Sequence, residues 1–120
     1  MPSTPEGKVK EDVKKVFKSH NIWSFMVVPH GYSMVGFPDF VACVPLKITK
    51  DMVGKTIGVF AGVETKAPGK IKNTTENQRR NLRAIGSHGG MAVVADRADL
   101  VEAALECLKQ TGTTMTFIPE

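Results

Sequence analysis

The stretch Gly58-Val59-Phe60-Ala61-Gly62-Val63-Glu64-Thr65-Lys66 constrains this chain more than any other. It reads as an apolar strand that ends in two charges of opposite sign. Side chains two apart in a strand share a face, so Glu64 and Lys66 stand side by side with Gly58, Phe60 and Gly62. Ile57, Val59, Ala61, Val63 and Thr65 form the other face, apolar enough to be core. The glycines leave room for another element to come close. A carboxylate and an ammonium at the end of a buried strand are costly unless they are paired or hold a ligand. The strand end is therefore a candidate site on physical grounds.

At 120 residues the sequence is the size of one compact domain with a real core. A hydrophobic content of 42% and a charged content of 23% are those of an ordinary globular protein. No run reaches the ~18 apolar residues of a membrane span, and the first residues show no signal-peptide pattern. Cys43 and Cys107 lack metal-ligand spacing and read as buried free thiols. Charge is uneven along the chain. From Lys66 to Arg83 the basic residues Lys66, Lys70, Lys72, Arg79, Arg80 and Arg83 face only Glu76, a larger positive balance than the +4 of the whole sequence. Such a patch suits a polyanion, nucleic acid above all; the alternative is a solvated basic helix face.

Periodicity and end signals predict the element order helix, three strands, helix, strand, helix. The first helix spans 5–19, with Thr4 as N-cap, Pro5 at the first helical position and an apolar stripe of Val9, Val13, Val16 and Phe17. At about 100° per residue Glu6 falls within that stripe and is expected to point inward. It serves either the helix dipole or chemistry. Strands are expected at 23–28, at 39–44 after the Pro29-to-Pro38 loop, and at the opening stretch. The 46–56 connection reads as a surface excursion. A second helix over 74–87 carries two overlapping capping-box spacings, Asn73/Glu76 and Thr75/Gln78. Gln78, Leu82 and Ile85 lean inward on it, with Arg79 and Arg83 alongside. A buried strand over 91–95 follows. Asp96 is expected to cap a last helix that ends at Gly112, and 113–118 to add an edge strand. The class is α/β, a mixed sheet flanked by helices.

If the Asp39 and Glu64 strands pair antiparallel, the start of one lies beside the end of the other. Two close carboxylates repel, and a divalent cation is the natural way to keep both ionised. Oxygen ligands with water and phosphate suit Mg²⁺. Lys66 is then placed to orient or deprotonate a water, or to stabilise charge on a phosphate.

Gly36-Phe37-Pro38-Asp39, then Glu64-Thr65-Lys66, then Gln78 on a helix after a basic loop, resembles the PD-(D/E)XK nuclease superfamily. More narrowly it resembles the VRR-NUC family in its small stand-alone phage and bacterial form, over most of the chain, as one nuclease domain spanning 1–120. The resemblance implies an αβββαβ core with a C-terminal helix and a Mg²⁺- or Mn²⁺-dependent phosphodiesterase. It implies metal ligation by Asp39, Glu64 and the Thr65 carbonyl, with Lys66 assisting the attacking water. It also implies site roles for Gln78, for which a capping box is the competing explanation, and for Glu6. Lys70, Lys72, Arg79, Arg80 and Arg83 are expected to position phosphates, and His30 and Tyr32 to offer phosphate or base contacts. The implied substrate is branched DNA, four-way Holliday junctions in particular, cut by a homodimer in the cytoplasm of a bacterium or a phage-infected host. Linear or nicked duplex DNA, or a non-cleaving DNA-binding subunit, are the alternatives.

Overall fold

The computed structural model describes residues 4–28, 36 and 38–120, in two compact units, Met1–Val44 and Pro45–Glu120. His30 and Tyr32, together with Phe37 of the Pro-Asp motif, lie outside the described residues. In the first unit, α1 (Pro5–Ser19) starts where the end signals predict. The Gly7 N–H donates to the Thr4 hydroxyl over 2.9 Å, and Pro5 occupies a position whose N–H has no helical partner. Two strands follow, β1 (Trp23–Met26) and β2 (Phe40–Cys43). They pair antiparallel from Trp23↔Cys43 to Met26↔Phe40, and the Val27 N–H extends the ladder to the Asp39 carbonyl. The Phe17 and Phe40 rings meet at 5.7 Å between centroids, tilted by 56°, and fasten α1 to this hairpin. Cys43 is buried, and neither it nor Cys107 is in a disulfide.

The second unit is built on β4 (Met91–Ala95), all five residues of which are buried. It pairs in parallel with β3 (Ala61–Thr65) on one side and β5 (Thr116–Phe117) on the other. Parallel neighbours need crossover connections, here supplied by α2 (Glu76–Ser87) and α3 (Ala98–Thr111). Alternation decides which helix covers which face. Met91, Val93 and Ala95 form a core cluster with Ala104, Leu100 and Val101 of α3. Gly62 faces Leu82 and Ile85 of α2, and its register partner Ala92 shares that face. The central strand is thus covered on both sides, which is why it reads as an uninterrupted apolar run. Each large side chain fully buried there, such as Val93 or Val94, is worth about 1.5–3 kcal/mol.

Four expectations are corrected by this arrangement. The apolar face of the opening strand is not core: Ile57, Val59 and Val63 are 47%, 38% and 41% exposed. The reason is lateral, because α3 packs on β4 and leaves the same face of β3 uncovered. The glycine face is the covered one, and α2 approaches it closely. A Cβ added to Gly62 would lie 2.7 Å from the Ile85 Cδ1. Second, the described pairings are β1–β2 and β3–β4–β5, so the ladder expected between the Asp39 and Glu64 strands is not among them. Third, Asp96 does not cap α3. The N-cap is Arg97, with no side-chain capping bond, and the Asp96 carboxylate is engaged elsewhere. Fourth, Glu6 is exposed on α1 rather than directed inward, and pairs with Lys10 one turn on at 3.5 Å.

Candidate functional site

Glu64, Lys66 and Gln78 form one hydrogen-bonded cluster on the α2-facing side of β3. The Lys66 ammonium donates to the Gln78 Oε1 over 2.9 Å, and the Gln78 Nε2 donates to the Glu64 Oε2 over 3.0 Å. Lys66 and Glu64 are themselves 3.7 Å apart, with side chains 15% and 31% exposed. Gln78 Oε1 also accepts the Thr75 N–H at 2.9 Å, while the Thr75 hydroxyl accepts the Gln78 N–H at 3.1 Å. That reciprocal pair is a complete capping box at the start of α2. The capping bonds of Gln78 and its contacts with Lys66 and Glu64 are therefore made by one amide in one geometry. The helix cap turns the amide so that its oxygen meets the cation and its nitrogen meets the carboxylate. A flipped amide would set NH₂ against ammonium and oxygen against carboxylate, so the orientation follows from charge.

The backbone adds a further oxygen. The Lys66 N–H donates across the ladder to the Ala95 carbonyl, so the N–H and C=O of the preceding residue, Thr65, are directed to the opposite edge of β3. No strand pairs with that edge among the described pairings. Both contacts to Glu64 fall on Oε2, which leaves Oε1 outside the cluster. A carboxylate oxygen and an outward carbonyl are hard donors of the kind Mg²⁺ and Mn²⁺ take. Among the described residues no three His, Cys, Asp or Glu side chains gather into a metal-holding group. Mg²⁺, which keeps several waters and takes one or two carboxylates, does not require one.

The basic surface divides into committed and uncommitted charges. Arg79 is committed to structure: it donates to the Thr74 carbonyl at 2.6 Å and pairs with Glu76 at 3.0 Å. Arg83 reaches the same carboxylate at 3.6 Å. The hydrogen bond from Arg79, then its charge and that of Arg83, hold the Glu76 carboxyl below its ordinary range. These two arginines, expected to position phosphates, are thus partly neutralised by Glu76. Lys70, Lys72 and Arg80 are exposed and make no ion pair among the described residues.

Asp39 is exposed immediately before β2 in the first unit, and Glu6 is exposed on α1 in the same unit. Glu64, Thr65, Lys66, Lys70, Lys72, Gln78, Arg79 and Arg83 all belong to the second unit. Two contacts near the cluster escaped the sequence reasoning. Thr74 is 4% exposed, and its carbonyl anchors Arg79. Asp96 holds a backbone amide 27 positions away, a contact that no spacing rule could reveal. No known family model matches the chain, and no curated protein or solved structure matches it either.

Proposed function

We propose that this chain is a metal-dependent endodeoxyribonuclease of the PD-(D/E)XK kind, VRR-NUC-like, which hydrolyses phosphodiester bonds in branched DNA. Four-way junctions are the preferred substrate, and a homodimer supplies one site for each of two strands. The observation that carries this proposal is the Glu64–Lys66–Gln78 cluster at a strand end, beside exposed Lys70 and Lys72. Glu64 through Oε1 and the Thr65 carbonyl would hold Mg²⁺ or Mn²⁺; Asp39, the further ligand that the sequence motif implies, belongs to the first unit. Glu64 and Thr65 are chosen because one carboxylate oxygen is left outside the cluster and the carbonyl is turned away from β4. When bound, the cation supplies charge neutralisation at the phosphate and acidification of a water.

The chain's own residues do the rest. Lys66 spends one of its three hydrogens on Gln78 and has others for a phosphate oxygen or the attacking water. Gln78 keeps Lys66 and Glu64 at fixed orientation, so little reorganisation accompanies charge build-up. Lys70, Lys72 and Arg80 hold the flanking backbone without reading bases.

A non-cleaving DNA-binding subunit is the second reading, and the 3.7 Å Lys66–Glu64 pair favours it, since a carboxylate already balanced needs no cation. Labelled four-way junction, linear duplex and single strands, each incubated with Mn²⁺ or with chelator, separate the two. Mn²⁺-dependent cutting of the junction is the expected result. Binding without cutting supports the subunit, and equal cutting of linear duplex removes the junction preference. Sedimentation of monomer alone at micromolar concentration contradicts paired incision.

A further inference from the structure

We infer that Asp96 is a positioning residue: its carboxylate locks the turn that follows the Glu64–Lys66 strand, and so fixes Lys70 as a phosphate contact beside the cluster. The inference rests on the nucleic-acid reading of that cluster. Ala67-Pro68-Gly69-Lys70 is a β-turn closed by the Lys70 N–H donating to the Ala67 carbonyl over 2.9 Å. Proline stands second and glycine third, with Gly69 at φ +78°, the residue pattern of a type II turn. Such a turn on its own is an exposed loop free to sway. Here the segment from Lys66 to Gly69 is tied at two points to the end of the buried β4. The Lys66 N–H donates to the Ala95 carbonyl at 2.9 Å, and the Gly69 N–H donates to the Asp96 Oδ2 at 2.9 Å. Adjacent residues of β4 and its exit therefore hold the residue before the turn and the turn's third residue.

The chain continues without slack into α2. The Asn73 N–H donates to the Lys70 carbonyl, the Thr74 N–H to that of Ile71, and the Thr74 hydroxyl to the same Ile71 oxygen at 2.6 Å. Lys70 thus sits between a clamped turn and a capped helix, both fixed relative to Glu64, Lys66 and Gln78. The position of Asp96 in sequence offers a simpler employment, the N-cap of α3. That helix begins uncapped by any side chain while the carboxylate is spent on Gly69. An exposed-turn amide could be satisfied by water at little cost, so the gain is in placement. The carboxylate also sets a negative charge near a proposed phosphate contact, which opposes binding unless placement outweighs it.

Those two effects separate experimentally. Asp96→Asn keeps an oxygen acceptor for the Gly69 N–H and removes the charge; Asp96→Ala removes both. Binding of a labelled duplex and a four-way junction is measured with Ca²⁺ across a salt series. We expect Asp96→Ala to weaken binding about fivefold and to flatten the log–log salt slope by about one, the signature of one lost phosphate contact. Asp96→Asn should bind at least as tightly as the wild type. Asp96→Ala added to Lys70→Ala should cost nothing more, because the two act through one contact. Unchanged binding in Asp96→Ala, or additive losses with Lys70→Ala, overturns the inference while leaving the nuclease proposal intact. Absence of DNA binding by the wild type overturns both. If Asp96→Ala does not fold, hydrogen exchange of the Gly69 amide in the wild type decides: protection supports the lock, and exchange at the free-peptide rate overturns it.

Discussion

Gln78 performs two tasks with one amide, and substitutions can pull them apart. Glutamate keeps an oxygen for the Thr75 N–H and for Lys66, as capping boxes commonly do, but loses the donation to Glu64 and sets two carboxylates together. Gln78→Glu is therefore expected to retain α2 stability and lose cleavage by about 10–100-fold, as for other groups that orient a site. Gln78→Ala should lose cleavage and also about 1 kcal/mol of stability, read from denaturant midpoints. Equal activity in Gln78→Glu would confine the residue to capping. Glu76 gives a pH test. Folding depresses this carboxyl, so its contribution to stability is complete above the unfolded glutamate value of about 4.3 and is lost as pH falls through the lower folded value. Melting temperatures of the wild type and Glu76→Gln should differ at about pH 6 and converge as the pH drops below about 4. A constant gap would mean that Arg79 and Arg83 do not act on that carboxyl.

Among the elements, the contact of β3 with α2 is the one that places the site, and it depends on an absent side chain. A Cβ on Gly62 meets the tip of Ile85, itself only 5% exposed. Gly62→Ala should destabilise by about 1 kcal/mol, and adding Ile85→Val, which removes the clashing methyl, should recover most of it. Independent, additive losses in calorimetry would contradict that packing. Element types and many ends were legible because their signals are local. Thr4 and Pro5 start α1, Thr75 and Gln78 start α2, and Gly112 ends α3 at φ +71°. The covered face of β3 was not legible, since it is set by how far α3 extends sideways across β4. The engagement of Asp96 was equally hidden: its local pattern favoured a cap, and a distant amide won.

At the scale of the whole molecule, the chain is an α/β protein in which a βαβαβ unit carries Glu64, Lys66, Gln78 and the basic turn, while Asp39 and Glu6 belong to the helix–hairpin unit. No helix among the described residues is long and apolar enough to cross a membrane. The shared face of Glu64 and Lys66 was readable from strand periodicity and the inward lean of Gln78 from helix periodicity, but that Gln78 joins the other two was an expectation drawn from the resemblance alone. The pairing of Asp39 with Glu64 required a ladder between two strands, and pairing across a long connection leaves little local trace. The most direct test of metal-dependent cleavage is the initial rate on a labelled four-way junction in Mn²⁺ for wild type and Glu64→Ala side by side. The expected result is cutting by the wild type that chelator abolishes, and a loss of a hundredfold or more, about what removal of a principal charge-stabilising group costs, in Glu64→Ala. Chelator-resistant cutting, or equal rates in the two proteins, would contradict it.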